Sequence, residues 1–131
     1  TQKMGLSMGA ALLLGVVICN IIMKPAFARI RPYDYQLEHF GKTIQLLVST
    51  PHDFSFPSGH TIASFEAATA IAIHNKKRGI PALVLACLIA FSRLYLYVHY
   101  PTDVLASVVL GIGFAFLGSW MVKKGYEIAK K

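Results

Sequence analysis

Two stretches of this chain run long enough without a charged residue to decide what it can fold into. Met4 to Met23 covers 20 residues and Val104 to Val122 covers 19. At about 1.5 Å per helical residue, each crosses the roughly 30 Å hydrocarbon core of a bilayer. Between them, Ile80 to Val98 is apolar except for Arg93, and Ser58 to Asn75 is interrupted by His60, Glu66, His74 and Asn75. The pattern predicts an all-α integral-membrane helical bundle with four transmembrane helices. A small soluble protein with a very apolar core is the alternative, and the run lengths weigh against it. A chain that is 55% hydrophobic is not disordered, and so oily a body beside a net charge of +7 argues against a nucleic-acid partner. Its 131 residues allow one domain, 1–131.

The basic residues orient the bundle. If the helices alternate in direction, one side holds Lys3, Lys76, Lys77, Arg78, Lys123, Lys124, Lys130 and Lys131, which is eight of the 13 Lys and Arg residues. By the positive-inside rule that side is cytoplasmic. The other, outer side carries Lys24, Arg29, Arg31 and Lys42, with Arg93 approaching it from within a helix. The outer connection, 24–57, is 34 residues long and has room for short helices. Thr43–Val48 is the expected one, lying in the interface. The first apolar run is too long for a secretory signal and lacks a processing site. Cys19 and Cys87 fall in apolar spans and read as buried thiols.

Polar residues gather at the outer ends of the helices in three clusters, and intramembrane polar groups are functional candidates by default. The first runs from Lys24 to Pro32, where Lys24 and Arg31 stand seven apart. That separation returns them to nearly one face of a helical path, although Pro25 and Pro32 suggest a broken path. An ammonium and a planar guanidinium together can hold a tetrahedral dianion, whereas each alone also fits snorkelling to the interface. The second cluster is Pro57-Ser58-Gly59-His60, a helix start with Ser58 as N-cap and Gly59 permitting close backbone approach. Such an end binds anions, or is simply a cap. The third cluster is Ser92-Arg93, His99 and Asp103. Tyr100-Pro101 should break one helix and start the next, placing Asp103 in its first turn within reach of a His99 ring nitrogen. A carboxylate that fixes one nitrogen leaves the other as nucleophile or base. The same pair could also merely staple a turn.

Taken together, Lys24-x6-Arg31-Pro32, Pro57-Ser58-Gly59-His60 and Ser92-Arg93-x5-His99-x3-Asp103 resemble the three-part signature of the type 2 phosphatidic acid phosphatase (PAP2) superfamily. The resemblance implies a membrane lipid phosphatase acting through a phosphohistidine. His99 would be the nucleophile, Asp103 its orienting partner, and His60 general acid and then base. Lys24, Arg31, Arg93, the Ser58 hydroxyl and the Gly59 amide would bind the phosphoryl oxygens. No metal and no cofactor is implied. The wording of Phe54–Thr61 and Tyr97–Asp103 looks like bacterial members, and an outer-face site favours undecaprenyl diphosphate as substrate. Phosphatidylglycerol phosphate, phosphatidic acid, phosphoryl transfer to a lipid acceptor, and an inactive membrane fragment are the alternatives. Membrane members usually have six spans, so two upstream helices are expected to be missing here. The expected location is multi-pass in a bacterial plasma membrane, with the site extracytoplasmic. Oligomeric state is not legible.

Other polar residues fit structural roles. Glu66 lies about 240° around its helix from His60 and is expected off the catalytic face, as a protonated or paired bundle glutamate. His39, His52 and Asp53 read as loop residues, with Asp53 able to assist Lys24 or His60. Arg29 reads as interfacial charge, Lys42 has no assigned role, and His74 lies at the cytoplasmic end. Gly5-x3-Gly9 and Gly111-x-Gly113 offer close helix packing.

Overall fold

The computed structural model describes residues 2–47 and 54–130, and these contain helices and no strand. The first long element is α1 (Gln2–Gly15), which continues as a π-helical segment, Val16–Met23, and a further turn, α2 (Lys24–Phe27). Ala28 then turns left-handed, at φ 46°, and donates its N–H to the Lys24 carbonyl, which ends the helix. Arg31 is extended, and Pro32 opens α3 (Pro32–Phe40) at a position where its missing N–H costs nothing. Gly41, at φ 65°, closes α3; its N–H and that of Lys42 bond back to Leu37 and Gln36. The outer connection therefore does contain a short helix, but at 32–40. Residues 43–47 of the expected Thr43–Val48 helix are irregular, and Val48 lies outside the described residues.

The remaining helices are α4 (Gly59–His74), α5 (Lys76–Tyr95) and α6 (Pro101–Ala129). Ser58 caps α4, accepting from the Thr61 N–H at 3.4 Å. Asn75 ends α4 and caps α5, its side chain accepting from the Arg78 N–H at 3.2 Å. A single residue thus reverses the chain between two helices.

Three helical stretches are long and apolar enough to cross a membrane: one within Gln2–Phe40, then Lys76–Tyr95 and Pro101–Ala129. The fourth expected span, α4, has 16 residues, or about 24 Å of helix, shorter than a bilayer core. It occupies the middle of the bundle, packed on α1, α5 and α6. Outward faces are apolar: Leu13, Ile21, Leu88, Phe91, Leu105 and Val109 are all exposed. Lipid tails are as apolar as these side chains, so helix association must come from close packing. Glycines supply it at particular crossings. A Cβ on Gly118 would meet the Ala11 nitrogen at 2.8 Å and the Ser7 carbonyl at 2.9 Å, and one on Gly111 would meet the Ile62 carbonyl at 2.9 Å. Gly5, Gly9 and Gly113 face nothing within 4 Å, so of the four glycines read as packing sites only Gly111 is one.

We expect Gly111→Ala and Gly118→Ala to destabilise the bundle by about 1–3 kcal/mol, the usual cost of overpacking. Gly113→Ala should be neutral or stabilising by up to about 1 kcal/mol, from helix propensity alone. Thermal unfolding of the three variants in one detergent checks both signs.

Candidate active site

The three clusters converge at one end of the bundle. They surround a cavity of about 380 Å³ whose wall includes Lys24, Arg31, Gly59, His60, Arg93 and His99. Lys24 arrives on α2, Arg31 on the irregular segment after it, Gly59 and His60 on the first turn of α4, and Arg93 on the last turn of α5. Lys24 and Arg31 are buried, as is His99. Arg93 presents a buried Nε with no hydrogen-bond partner among the described residues.

Both Lys24 and Arg31 reach the same acceptor, the Phe54 backbone carbonyl, at 3.1 Å and 3.4 Å. Arg31 Nη1 also donates to the Val98 carbonyl at 2.9 Å and lies 3.2 Å from His99 Nε2. A guanidinium only donates, so at that distance Nε2 presents its lone pair and the ring proton sits on Nδ1. Nδ1 faces Asp103 Oδ2 at 3.6 Å, within ion-pair range but longer than a hydrogen bond. Such contacts in catalytic sites commonly tighten once substrate binds.

Asp103 is fully buried at the third position of α6. Its Oδ2 accepts from the Tyr100 N–H at 2.8 Å and from the Ser55 hydroxyl. Oδ1 accepts from Arg29 Nη1 at 2.9 Å. Arg29 also bonds the Thr102 hydroxyl at 2.6 Å and lies 4.3 Å over the Tyr100 ring. Arg29 is therefore not the loose interfacial charge expected from sequence; it is the ion-pair partner of Asp103. The sequence reading measured Lys24 to Arg31 along a helix. The helix stops at Phe27, and the irregular path beyond it brings Arg29 and Arg31 to Asp103 and His99. Ser55 was missed as well, since nothing in its neighbourhood marks it.

Ser58 does not line the cavity. Its hydroxyl donates to Thr61 Oγ1 at 2.9 Å, and its N–H donates to Ser107 Oγ at 2.7 Å. Of the two sequence readings, helix cap and phosphate ligand, the geometry fills the first. Ser107 in turn donates to the Asp103 carbonyl at 2.5 Å, which joins the start of α4 to the start of α6. Asn20, on the π-helical segment, is a cavity residue the sequence did not single out. Glu66 stands off the cavity, as expected, buried against Gly15 with Oε1 unpartnered among the described residues. His39 stacks on Tyr35 away from the site, and His74 is at the other end of α4. His52 and Asp53 lie outside the described residues. Among those described, no three His, Cys, Asp or Glu side chains are grouped to hold a metal ion.

Burial pushes the His99 imidazole below its usual pKa; the Arg31 and Arg93 charges push the same way, and Asp103 opposes them. The ring is thus held neutral near pH 7, with its Nε2 lone pair on Arg31. Because the folded state binds that proton less readily than the unfolded chain, the neutral ring's contribution to stability is present above the ordinary imidazole pKa. It is lost as pH falls from that value through the lower one of the folded state. We expect ¹⁵N spectra of the labelled protein to show an Nδ1–H tautomer whose protonation midpoint lies below 6.5; a midpoint above it would mean that Asp103 dominates.

Comparison with known proteins agrees with the three-cluster reading. The model of the PAP2 superfamily matches residues 4–127. An undecaprenyl-diphosphatase of Sulfolobus acidocaldarius is 33% identical over 118 residues, covering 89% of this chain and 54% of the relative. Among solved structures, LpxE of Aquifex aeolicus superimposes with a TM-score of 0.73 at 27% identity, covering 90% of this chain and 68% of that one. A PAP2-type phosphatidylglycerolphosphate phosphatase from Bacillus subtilis does so with a TM-score of 0.63 at 32% identity, covering 98% and 59%. The chain thus spans about half the length of the undecaprenyl-diphosphatase it matches.

Proposed function

The chain belongs to the PAP2 superfamily, and from that premise we propose that it is a metal-independent membrane lipid phosphatase working through a phosphohistidine. The observation that carries this reading is His99, held neutral by burial on the wall of a cavity shared with Lys24, Arg31 and Arg93, its Nε2 lone pair resting on Arg31. Three cations around one imidazole lone pair suit attack on a phosphoryl group better than any structural role. In the first step Nε2 bonds to phosphorus, and Arg31 shifts from the ring nitrogen to a phosphoryl oxygen. Lys24, Arg93 and the Gly59 amide hold the others as charge develops on them. The bond from phosphorus to the leaving oxygen breaks as His60 protonates that oxygen. In the second step water attacks phosphorus, His60 takes its proton, the P–N bond breaks and phosphate leaves. Asp103 faces the imidazolium that forms in between.

Undecaprenyl diphosphate is the favoured substrate, which would yield undecaprenyl phosphate and inorganic phosphate. The similarity to an undecaprenyl-diphosphatase supports it; the likeness to a phosphatidylglycerolphosphate phosphatase keeps that lipid the runner-up. We read α4 as the fourth span and the cavity as extracytoplasmic. Lys3, Lys76, Lys77, Arg78, Lys123, Lys124 and Lys130 lie at the end of the bundle away from it, which the positive-inside rule makes cytoplasmic.

The Arg29–Asp103 pair gives Arg29 and Ser55 positioning roles. Both hold Asp103 in place, and Arg29 balances part of its charge. In detergent with EDTA present, we expect phosphate release from undecaprenyl diphosphate and, more slowly, from phosphatidylglycerol phosphate. His99→Ala should abolish both, and loss of activity on adding EDTA would contradict the metal-free chemistry. The charged groups acting on His99 are Arg31, Arg93 and Asp103, and Lys24 and the titratable His60 share the cavity wall. Removing the Arg29 charge leaves more of the Asp103 field on His99. Arg29→Gln should therefore move the acid limb of kcat/KM to higher pH and lower the plateau by up to about a hundredfold. Arg29→Lys should restore the limb. A lower plateau with an unmoved limb would leave Arg29 a purely structural residue.

A further inference from the structure

The end of the bundle opposite the catalytic cavity holds a second cavity, mostly apolar with a few polar groups on its wall. It has a volume of about 390 Å³ and lies where α1, α4 and α6 meet, lined by Lys3, Ser7, His74, Ser119, Trp120 and Lys123. Two of its hydroxyls are anomalous. Serines on helices within an apolar bundle ordinarily bond a backbone carbonyl about one turn back. Ser64 does so to Thr61 at 3.0 Å, Ser92 to Ile89 at 2.6 Å and Ser107 to Asp103 at 2.5 Å. Ser7 is fully buried, yet its Oγ has no partner, and neither does the buried Oγ of Ser119. Both serines line the cavity with hydroxyls closed off from it, and a change of rotamer would offer each to an acceptor held there. Lys3 and Lys123 supply positive charge at the same cavity, and Ile73 and Phe116 give it an apolar side.

Depth identifies the acceptor. From Asp103 to Lys123, α6 runs 20 residues, about 30 Å, which matches the hydrocarbon thickness of a bilayer. Lys3 and Lys123 therefore stand at the level of phospholipid headgroups on the far side from the catalytic cavity. Trp120 fits the same boundary. We propose that this cavity binds the phosphodiester headgroup of an anionic phospholipid from the leaflet opposite the catalytic cavity. The lysines neutralise the phosphate, the Ser7 and Ser119 hydroxyls donate to its oxygens, and the apolar wall receives the start of an acyl chain. This is a separate site from the catalytic one and does not depend on which lipid, if any, is hydrolysed there.

Other basic residues at this end, among them Lys76, Lys77 and Arg78, attract anionic lipid without a cavity, which sets the control. The full chain in neutral detergent is titrated with phosphatidylglycerol or phosphatidylcholine, reading bound lipid by native mass spectrometry and the shift in Tm. We expect one tightly held phosphatidylglycerol per chain and a higher Tm, with phosphatidylcholine giving neither. Lys3→Gln with Lys123→Gln should weaken that binding about thirtyfold. Lys76→Gln with Lys77→Gln should leave it within about twofold, and Lys3→Arg with Lys123→Arg should retain it. If the first pair does not fold, Lys123→Gln alone carries the comparison, with Ser7→Ala beside it. Equal losses from the two glutamine pairs would overturn the proposal, because binding would then be diffuse surface attraction. Equal protection by phosphatidylcholine would overturn it in favour of an apolar filler. The same protection from glycerol phosphate in solution would overturn the lipid as ligand.

Discussion

The arrangement hangs on one buried carboxylate. Asp103 has no solvent to stabilise its charge, and an uncompensated charge in such surroundings is among the costliest things a fold can contain. It is met by the Tyr100 N–H, the Ser55 hydroxyl, the Arg29 guanidinium and, at longer range, His99. These partners come from three chain segments far apart in sequence. Satisfying one carboxylate therefore gathers the segment after α2, the approach to α4 and the turn before α6. The Ser55 N–H also donates to the Arg29 carbonyl at 2.8 Å, so two of the segments bond each other as well. Through Ser107, the α6 backbone at Asp103 reaches the first residue before α4.

Once gathered, those segments bring cations together. Lys24, Arg31 and Arg93 line one cavity and repel one another, and backbone carbonyls offset part of that cost. Phe54 accepts from Lys24 and Arg31, and Val98 accepts from Arg31. Carbonyls carry partial charge, so a phosphoryl group with full charges is a better partner for the same donors. The bundle beneath is built on another principle. With apolar side chains turned outward, α4 is gripped at small residues such as Gly111 and Gly79, and this rigid support fixes where His60 and Arg93 emerge.

Much of this was legible in the sequence, for reasons that differ by element. Charge-free runs marked the helices because the bilayer core demands length and apolarity together. Pro101 and Ser58 marked two helix starts, since one lacks a donor and the other supplies an acceptor. The meeting of His99, Asp103, Lys24, Arg31 and Arg93 followed from their common depth at helix ends. Arg29 and Ser55 were not legible, because their partner is distant in sequence and their importance comes from the irregular path of residues 28–31. The short helix in the outer connection was misplaced for a related reason. Thr43–Val48 was the expected helix, whereas Pro32 and Gly41 fix real ends around 32–40. At Ser58 the cap role was visible in the sequence, and in the structure its hydroxyl bonds within the first turn of α4.

The central claim is that His99 Nε2 is a nucleophile presented to phosphorus among three cations. A structure of the chain with orthovanadate, which imitates the transferring phosphoryl group, tests it most directly. The account predicts vanadium bonded to His99 Nε2, Arg31 moved from that nitrogen onto a vanadate oxygen, and Lys24 and Arg93 on the others. Vanadate held by His60 instead, or bound in the cavity with Arg31 still on His99, would contradict it.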